Sequence, residues 1–138
     1  KDLESNLELR NFLEKLRISC GKLMKLGNVA EKTVPKMTIV SNAKSEGIIN
    51  TRTFIPHRCH SSIGVFGAIS VATACLLNKS VTNLISSIPE GNTKICSIEH
   101  PSGQTQVVIK TNQQGIISTA ILRTARKLFD GIVFDDIY

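Results

Sequence analysis

The chain has 138 residues, of which 41% are hydrophobic and 20% charged, with a formal net charge of +6. This length is typical of one domain that folds without disulfides or metals, and we treat residues 1–138 as a single domain. An aromatic content of 4%, without Trp, leaves few rings to stack on bases, and the basic residues are scattered. We therefore exclude nucleic acid as a partner and expect a small polyanion as the ligand.

The first predicted element is an amphipathic surface helix from Ser5 to about Met24. Its apolar residues recur at helical spacing, and Ser5 with Glu8 has the sequence of a capping box. We expect the helix to end near Gly27 and Asn28. The chain opens on charged residues without the pattern of a signal peptide, and its first residue is Lys rather than Met. We expect it to be a piece of a longer protein.

Two short strands are predicted next, at Met37–Val40 and Ile48–Ile55. The first is a buried apolar run after Pro35. In the second, Asn50, Arg52 and Phe54 alternate with Ile49, Thr51 and Thr53, as on the two faces of a strand. The second strand leads through Pro56 directly into a polar stretch with the sequence His-Arg-Cys-His. This order places the start of the following segment at the end of a sheet.

The stretch from Ser61 to Leu77 carries no charged side chain. A helix without a polar stripe must be covered on all sides, so we predict a central core helix. A membrane span is the rival interpretation, which the short length and the Gly, Ser and Thr content disfavour. We therefore predict no membrane association.

The start of this predicted helix is the first candidate binding site. Backbone N–H groups of a first helical turn have no partner within the helix, and the helix dipole adds partial positive charge there. The sequence supplies Ser61, Ser62 and Gly64 at this start, and Arg58 and His60 precede it. Such a start suits a carboxylate or phosphate group. The alternative is structural: Ser61 or Ser62 caps the helix and Gly64 only permits close packing.

Four cysteines in separate predicted elements, without paired spacing, indicate a reducing compartment, so we predict a cytoplasmic protein. Cys59 lies between Arg58 and His60 and has two interpretations, a reactive thiol of lowered pKa or inert packing. His57, Cys59 and His60 include the residue types that bind zinc, but their spacing matches no familiar arrangement. We predict neither a metal nor a cofactor.

The second half of the chain is predicted to contain the remaining strands. They are Ile95–Glu99, Gln104–Thr111, Ile116–Arg123 and Gly131–Phe134. The Pro-Ser-Gly turn between the first two is either a plain hairpin loop or a turn that points His100, Ser102 and Gly103 into a pocket. Arg123 is either an edge charge or a ligand clamp. These elements predict an α+β fold, with a curved, mostly antiparallel sheet wrapped around the buried central helix.

Several separated segments resemble one known family, in the same order. They are residues 49–64, Glu99–Gly103 and Leu122–Gly131, together with Met24–Gly27 and Thr33–Met37. These segments resemble the C-terminal part of the PrpF family, which includes methylaconitate cis-trans isomerase, methylitaconate delta-isomerase and 4-oxalomesaconate tautomerase. The resemblance covers essentially the whole chain.

The resemblance implies a diaminopimelate-epimerase-like lobe, one of two similar lobes that each wrap a curved sheet around a central helix. The chain resembles the second lobe, whereas the family's catalytic Lys and Cys lie on the first, so no catalytic residue is expected here. The positions that match family patterns are His60, Gly64, Ser102–Gly103, Arg123 and Arg126. Cys59 falls at a position that varies in the family, and we assign it no catalytic role.

The implied reaction moves a double bond of an unsaturated di- or tricarboxylate by removing an allylic proton and returning it elsewhere. Negative charge then builds on a carboxylate, and amides at the helix start are suited to stabilise it. Arg58 is the best candidate for a bidentate contact with a carboxylate of the substrate. The predicted substrate-binding residues are Arg58, His60, Ser61, Ser62, Gly64, Ser102, Gly103 and Arg123.

The resemblance therefore implies an isomerase or tautomerase whose missing N-terminal lobe is a partner, so the chain alone is expected to be inactive. A homodimer is left open. The alternative is a non-catalytic module that binds an anion or pairs with another subunit. A third hypothesis is an epimerase-type enzyme assembled from two such chains, with Cys59 as an acid–base thiol.

Overall fold

The computed structural model describes residues 2–132 and residue 134. The helices are α1 (Asp2–Ser5), α2 (Leu7–Leu23), α3 (Val65–Leu76) and α4 (Val81–Ile85). The strands are β1 (Met37–Ser41), β2 (Ile49–Ile55), β3 (Arg58–Cys59), β4 (Thr93–His100), β5 (Gly103–Asn112) and β6 (Gly115–Leu122). Among the residues described, none of these helices combines the length and apolar character that a bilayer crossing requires.

The strands form one sheet in the order β1-β2-β4-β5-β6, with β3 paired to β2. The β2–β4 pair is parallel and every other described pair is antiparallel, which confirms the mostly antiparallel sheet. Tight turns join β4 to β5 at Gly103 and β5 to β6 at Gly115. Both glycines have positive φ angles, +136° and +126°, a conformation that residues with a side chain rarely adopt.

Helix α3 covers one face of the sheet with side chains of small volume. Ala68, Ala72 and Cys75 are fully buried there, and Val71 lies beside them. The other members of this core are Ile48, Ile49, Ile63, Cys96, Ile98, Val107 and Ile109. Small side chains let the helix approach the sheet closely, and the core therefore joins β2, β4 and β5 to α3.

The opposite face of α3 is not covered by the described residues. Phe66 is 84% exposed, and Val65 and Ser70 are exposed beside it. This face borders an open apolar groove of about 850 Å³, which β1 lines on its other side. The prediction of a helix covered on every side is therefore met on one face only.

Helix α2 uses a different cap from the predicted one. Asn6 is its N-cap, and the side-chain oxygen of Asn6 accepts a hydrogen bond from the Leu9 amide at 2.9 Å. Ser5 instead ends α1, so the predicted capping box of Ser5 and Glu8 is wrong. The two candidate caps are adjacent in the sequence, and Asn is as good an N-cap as Ser.

Replacing Asn6 by Ala is expected to lower the free energy of unfolding by about 1 kcal/mol, because the Leu9 amide loses its acceptor. Asn11 lies exposed within the same helix, and Asn11→Ala is the matched control. That control is expected to be neutral or slightly stabilising, since Ala favours helix interiors. Urea denaturation followed by circular dichroism measures both variants, and equal losses would contradict the capping role.

The sequence does not predict α4 or β3, and it predicts one strand that the described residues do not form. Helix α4 begins after Ser80, whose hydroxyl oxygen accepts a hydrogen bond from the Asn83 amide at 3.0 Å. The predicted strand at Gly131–Phe134 is not formed by residues 131, 132 and 134, and Val133 lies outside the described residues. Residues 123–132 have no regular secondary structure and are exposed.

Candidate functional site

A polar cavity of about 550 Å³ lies beside the first half of β2. Its walls come from α1, the end of β1 with the loop that follows, β2, the turn after β3, and the residue that follows β4. The polar side chains that line it include Glu4, Lys44, Asn50, Arg52, His60 and Ser61. Its size is in the range of pockets that hold small molecules. Two basic side chains, Lys44 and Arg52, thus share one cavity with the predicted His60–Ser61 turn.

Arg52 is a half-buried cation held by its own strand. Its Nη1 atom donates hydrogen bonds to Asn50 Oδ1 at 2.8 Å and to the Thr51 carbonyl at 2.7 Å. Asn50 is only 5% exposed, so the acceptor that holds the guanidinium is itself fixed by packing. The orientation of Arg52 is therefore set before any ligand binds.

The turn after β3 is fixed by backbone hydrogen bonds on both sides. The His60 amide donates to the Thr53 carbonyl at 2.7 Å, and the Ser102 amide donates to the Ser61 carbonyl at 3.0 Å. His60 Nδ1 accepts a hydrogen bond from the Ser62 amide at 3.0 Å, so the neutral ring carries its proton on Nε2. One of the amides expected to be open to an anion is thus occupied by the His60 ring.

Helix α3 begins at Val65, with Gly64 as its N-cap and no side-chain capping hydrogen bond. The alternative in which Ser61 or Ser62 caps the helix is therefore wrong. Gly64 is exposed, and a Cβ atom built on it would meet no heavy atom within 4 Å, so close packing does not explain this glycine either.

Comparison with known proteins now identifies the family. A family model described as PrpF protein matches residues 1–136. The chain belongs to the PrpF family. It is 49% identical over 133 residues to a (4E)-oxalomesaconate Delta-isomerase of Novosphingobium sp. (strain KA1), and the aligned residues make up 96% of this chain and 37% of that protein. It is 47% identical over 131 residues to a 4-oxalomesaconate tautomerase of Pseudomonas putida, and the aligned residues make up 95% of this chain and 36% of that protein.

The fold of this PrpF-family chain is similar to that of a solved structure described as methylitaconate-delta-isomerase. The TM-score is 0.77 at 18% sequence identity, over 96% of this chain and 39% of that chain. At this identity the similarity shows the fold alone. The chain spans little more than a third of the length of its curated relatives, 37% and 36% for the two named above.

His100 ends β4, directly before Pro101, which lines the cavity. Its Nε2 atom is 3.1 Å from Thr105 Oγ1, and its Nδ1 atom is 3.2 Å from Ser102 Oγ. Burial lowers the pKa of His100, and the charges of His60 and Arg52 lower it further, against backbone hydrogen bonds that raise it. His100 is therefore neutral near pH 7.

Cys59 lines the cavity but does not have the character of a reactive thiol. Its amide donates a hydrogen bond to Glu4 Oε1 at 2.7 Å. Burial raises the pKa of the Cys59 thiol and outweighs the opposing charge of Arg52. The interpretation as a thiol of lowered pKa is therefore wrong. Among the residues described, no group of three His, Cys, Asp or Glu side chains could hold a metal ion.

Lys44 reaches the cavity from a loop that a buried carboxylate holds in place. Glu99 Oε2 accepts a hydrogen bond from the Lys44 amide at 2.7 Å. Glu99 Oε1 accepts from the Ser45 amide at 2.8 Å and the Gly47 amide at 3.1 Å. A Cβ atom built on Gly47 would lie 2.4 Å from Glu99 Cγ, so only glycine lets the loop approach this closely. Glu99 thereby fixes the loop that carries Lys44.

The structure brings some of the predicted site residues together. His60 and Ser61 line the cavity, and Ser102 is joined to them through its hydrogen bond to Ser61. Arg58, Ser62, Gly64 and Gly103 are close in sequence to these residues but do not line the cavity. Arg123 follows β6, which β4 and β5 separate from β2. The binding roles of all eight residues stay predictions.

Sequence reasoning missed Lys44, Asn50 and Arg52 as cavity residues. A signal for Arg52 was present in the sequence. Arg52 is a charged residue inside a strand, its neighbours Thr51 and Thr53 are β-branched, and the strand leads into Pro56. Lys44 gave no local signal, because its placement depends on Glu99, far away in the sequence.

Proposed function

We propose that this PrpF-family chain is the substrate-binding part of an isomerase or tautomerase that shifts a double bond in an unsaturated di- or tricarboxylate. The names of the curated relatives support the reaction class, an oxalomesaconate Delta-isomerase and an oxalomesaconate tautomerase. The observation that carries the proposal is the cavity of about 550 Å³ in which Lys44 and Arg52 meet the His60–Ser61 turn.

The charges around the cavity suit a carboxylate ligand. Glu4 and Glu99 contribute negative charge nearby, but both carboxylates accept backbone hydrogen bonds. Lys44 and Arg52 form no salt bridge within 4.0 Å among the described residues. The Lys44 charge also acts on the Glu99 carboxylate, but within the described part of the chain neither Lys44 nor Arg52 is held in a close ion pair. Both cations can therefore neutralise the carboxylates of a ligand.

The chemistry assigns binding and charge stabilisation to this part of the protein. When a proton leaves the carbon next to the double bond of an unsaturated acid, the electron pair delocalises through that double bond into the carboxylate. Fixed cations and N–H groups stabilise that charge because they need no rearrangement as it forms. The groups that remove and return the proton belong, in this proposal, to an N-terminal lobe, and the described chain is the C-terminal, diaminopimelate-epimerase-like lobe. In this proposal the chain by itself is inactive. We place the whole enzyme in the cytoplasm.

A second candidate function is a subunit-pairing module without catalysis. The exposed outer face of α3, with Phe66 84% exposed beside the apolar groove, favours it. Contiguous exposed apolar surface of this kind is typical of a contact with another polypeptide. The same face also fits a contact with the proposed N-terminal lobe, so ligand binding separates the two functions.

We expect the 138-residue chain to bind trans-aconitate, an unsaturated tricarboxylate, saturably in isothermal titration calorimetry. Lys44→Gln is expected to weaken this binding up to about fivefold, because an exposed cation contributes little more than 1 kcal/mol. Lys110 is exposed on β5 away from the cavity, so Lys110→Gln controls for the loss of one positive charge. Absence of saturable binding, or equal weakening by both variants, would contradict the proposed site.

A further inference from the structure

The guanidinium of Arg52 is only partly used by the protein. Of its five N–H donors, the two on Nη1 donate to Asn50 Oδ1 and to the Thr51 carbonyl. Among residues 3–132 and 134, no acceptor meets the donors on Nε and Nη2, and no carboxylate pairs with the charge.

The unused N–H donors of Arg52 lie together on one edge of its guanidinium, and this arrangement determines which ligand group it can bind. Because Asn50 and Thr51 occupy both protons of Nη1, the end of the guanidinium is fixed to β2. The Nε–H and one Nη2–H point in parallel from the side edge, and this pair matches the two oxygens of a carboxylate. Arg52 lines the polar cavity, so a ligand there has access to it.

We infer that the Nε–Nη2 edge of Arg52 binds one carboxylate of the substrate in a bidentate contact, and that Asn50 is the positioning residue that holds this edge in place. The inference rests on the proposed function and moves the bidentate contact from Arg58 to Arg52. Arg58 lies exposed on β3 and does not line the cavity. Arg52 is oriented before binding, so less rotamer freedom is lost when the carboxylate arrives.

The test determines whether the contribution of Arg52 to binding depends on one particular carboxylate of the ligand. Calorimetry on the 138-residue chain compares trans-aconitate with its three monocarboxamides, in each of which one carboxylate is replaced by a neutral amide. These four ligands are titrated into the wild type, Arg52→Gln and Arg52→Lys, and thermal unfolding of each variant is recorded in parallel. Arg52→Lys keeps the charge without the two parallel donors, and it carries the comparison if Arg52→Gln does not fold.

Arg52→Gln is expected to weaken trans-aconitate binding about tenfold or more, because a charge-assisted bidentate contact is lost. One of the three monocarboxamides should bind the wild type about tenfold less tightly than trans-aconitate and bind Arg52→Gln as tightly as trans-aconitate does. Arg52→Lys should lie closer to Arg52→Gln than to the wild type. In the Arg52→Gln background, the further change Asn50→Ala should weaken binding no more, since Asn50 acts through the guanidinium.

The outcomes separate this inference from the proposed function. If the wild type binds trans-aconitate and Arg52→Gln weakens all four ligands by the same factor, Arg52 is only structural and the inference is overturned. Additive effects of Asn50→Ala and Arg52→Gln would overturn the positioning role of Asn50. If the wild type binds none of the four ligands, the proposed function and the inference are both overturned.

Discussion

Replacing Glu99 by Gln is expected to lower the free energy of unfolding by about 3 kcal/mol, because charged acceptors of backbone N–H groups are lost. Glu99 is 6% exposed, and its carboxylate accepts hydrogen bonds from the Lys44, Ser45 and Gly47 amides. A Gln side chain has one oxygen for these three donors, and its NH₂ group would face at least one of them. At least one of these buried or partly buried amides then has no acceptor.

Denaturation with urea measures this loss, and Glu46→Gln is the matched control. Glu46 belongs to the same loop and is exposed. The control should change stability by no more than about 0.5 kcal/mol, as is usual for a surface substitution. A loss for Glu99→Gln that does not exceed the loss for Glu46→Gln would show that the carboxylate does not hold the loop.

The pH dependence of stability follows from the same carboxylate. Burial raises the pKa of Glu99, but the amides of Lys44, Ser45 and Gly47 and the Lys44 charge outweigh it, and the net shift is downward. A pKa that is lower in the folded state contributes stability that is fully present above the unfolded pKa, about 4.3 for glutamate. This stability is lost as the pH falls through the folded pKa. The wild type should therefore lose more stability than Glu99→Gln on acidification below about pH 4.

The strands of this chain were predictable because their signals are local. Alternating and apolar runs mark β2, β4 and β5, and the Pro-Ser-Gly sequence marks the turn in which Gly103 adopts its positive φ angle. The resemblance in separated segments predicted the family, which the match over residues 1–136 confirms. Local pattern and turn chemistry therefore determine most of the sheet.

The candidate site was only half predictable, because its contacts connect distant residues. The His60–Ser61 turn was found from its own composition, whereas Lys44 reaches the cavity only through the hydrogen bond of its amide to Glu99. The alternation in β2 predicts only a strand face for Arg52, and no pattern in the strand shows that Nη1 alone is bonded. Helix α3 was misjudged for a related reason: absence of charge permits burial on every side but does not supply the second covering layer.

Replacing Arg17 by Met is expected to lower the free energy of unfolding by about 4 kcal/mol, because the fully buried member of an ion pair is removed together with its other hydrogen bonds. Arg17 lies in α2 with its side chain fully buried. Its Nε and Nη2 atoms each donate to the Glu14 carboxylate at 2.7 Å. The hydrogen bond to Arg17 lowers the pKa of Glu14, which keeps the pair charged at neutral pH.

The same guanidinium also fastens the segment that follows α2. Arg17 Nη1 donates to the Lys32 carbonyl at 2.9 Å and the Val34 carbonyl at 2.6 Å, and Nη2 donates to the Ala30 carbonyl at 3.3 Å. Arg17→Met fills much of the volume but leaves these carbonyls and Glu14 without their donor. The loss should therefore exceed that of Glu14→Gln, which we expect to be about 1 kcal/mol, since Glu14 is 22% exposed and Gln keeps an acceptor.

Lys15→Met is the matched control for Arg17→Met, because Lys15 is exposed on the same helix and also loses one positive charge. Denaturation with urea gives the three free energies, and hydrogen exchange reports the local effect at the Lys32 amide, which donates to the Val29 carbonyl at 3.0 Å. If Arg17 fastens the segment, this amide exchanges faster in Arg17→Met under conditions where the sheet stays protected. Unchanged exchange there, or a loss of stability equal to that of Lys15→Met, would mean that other contacts hold the segment on α2.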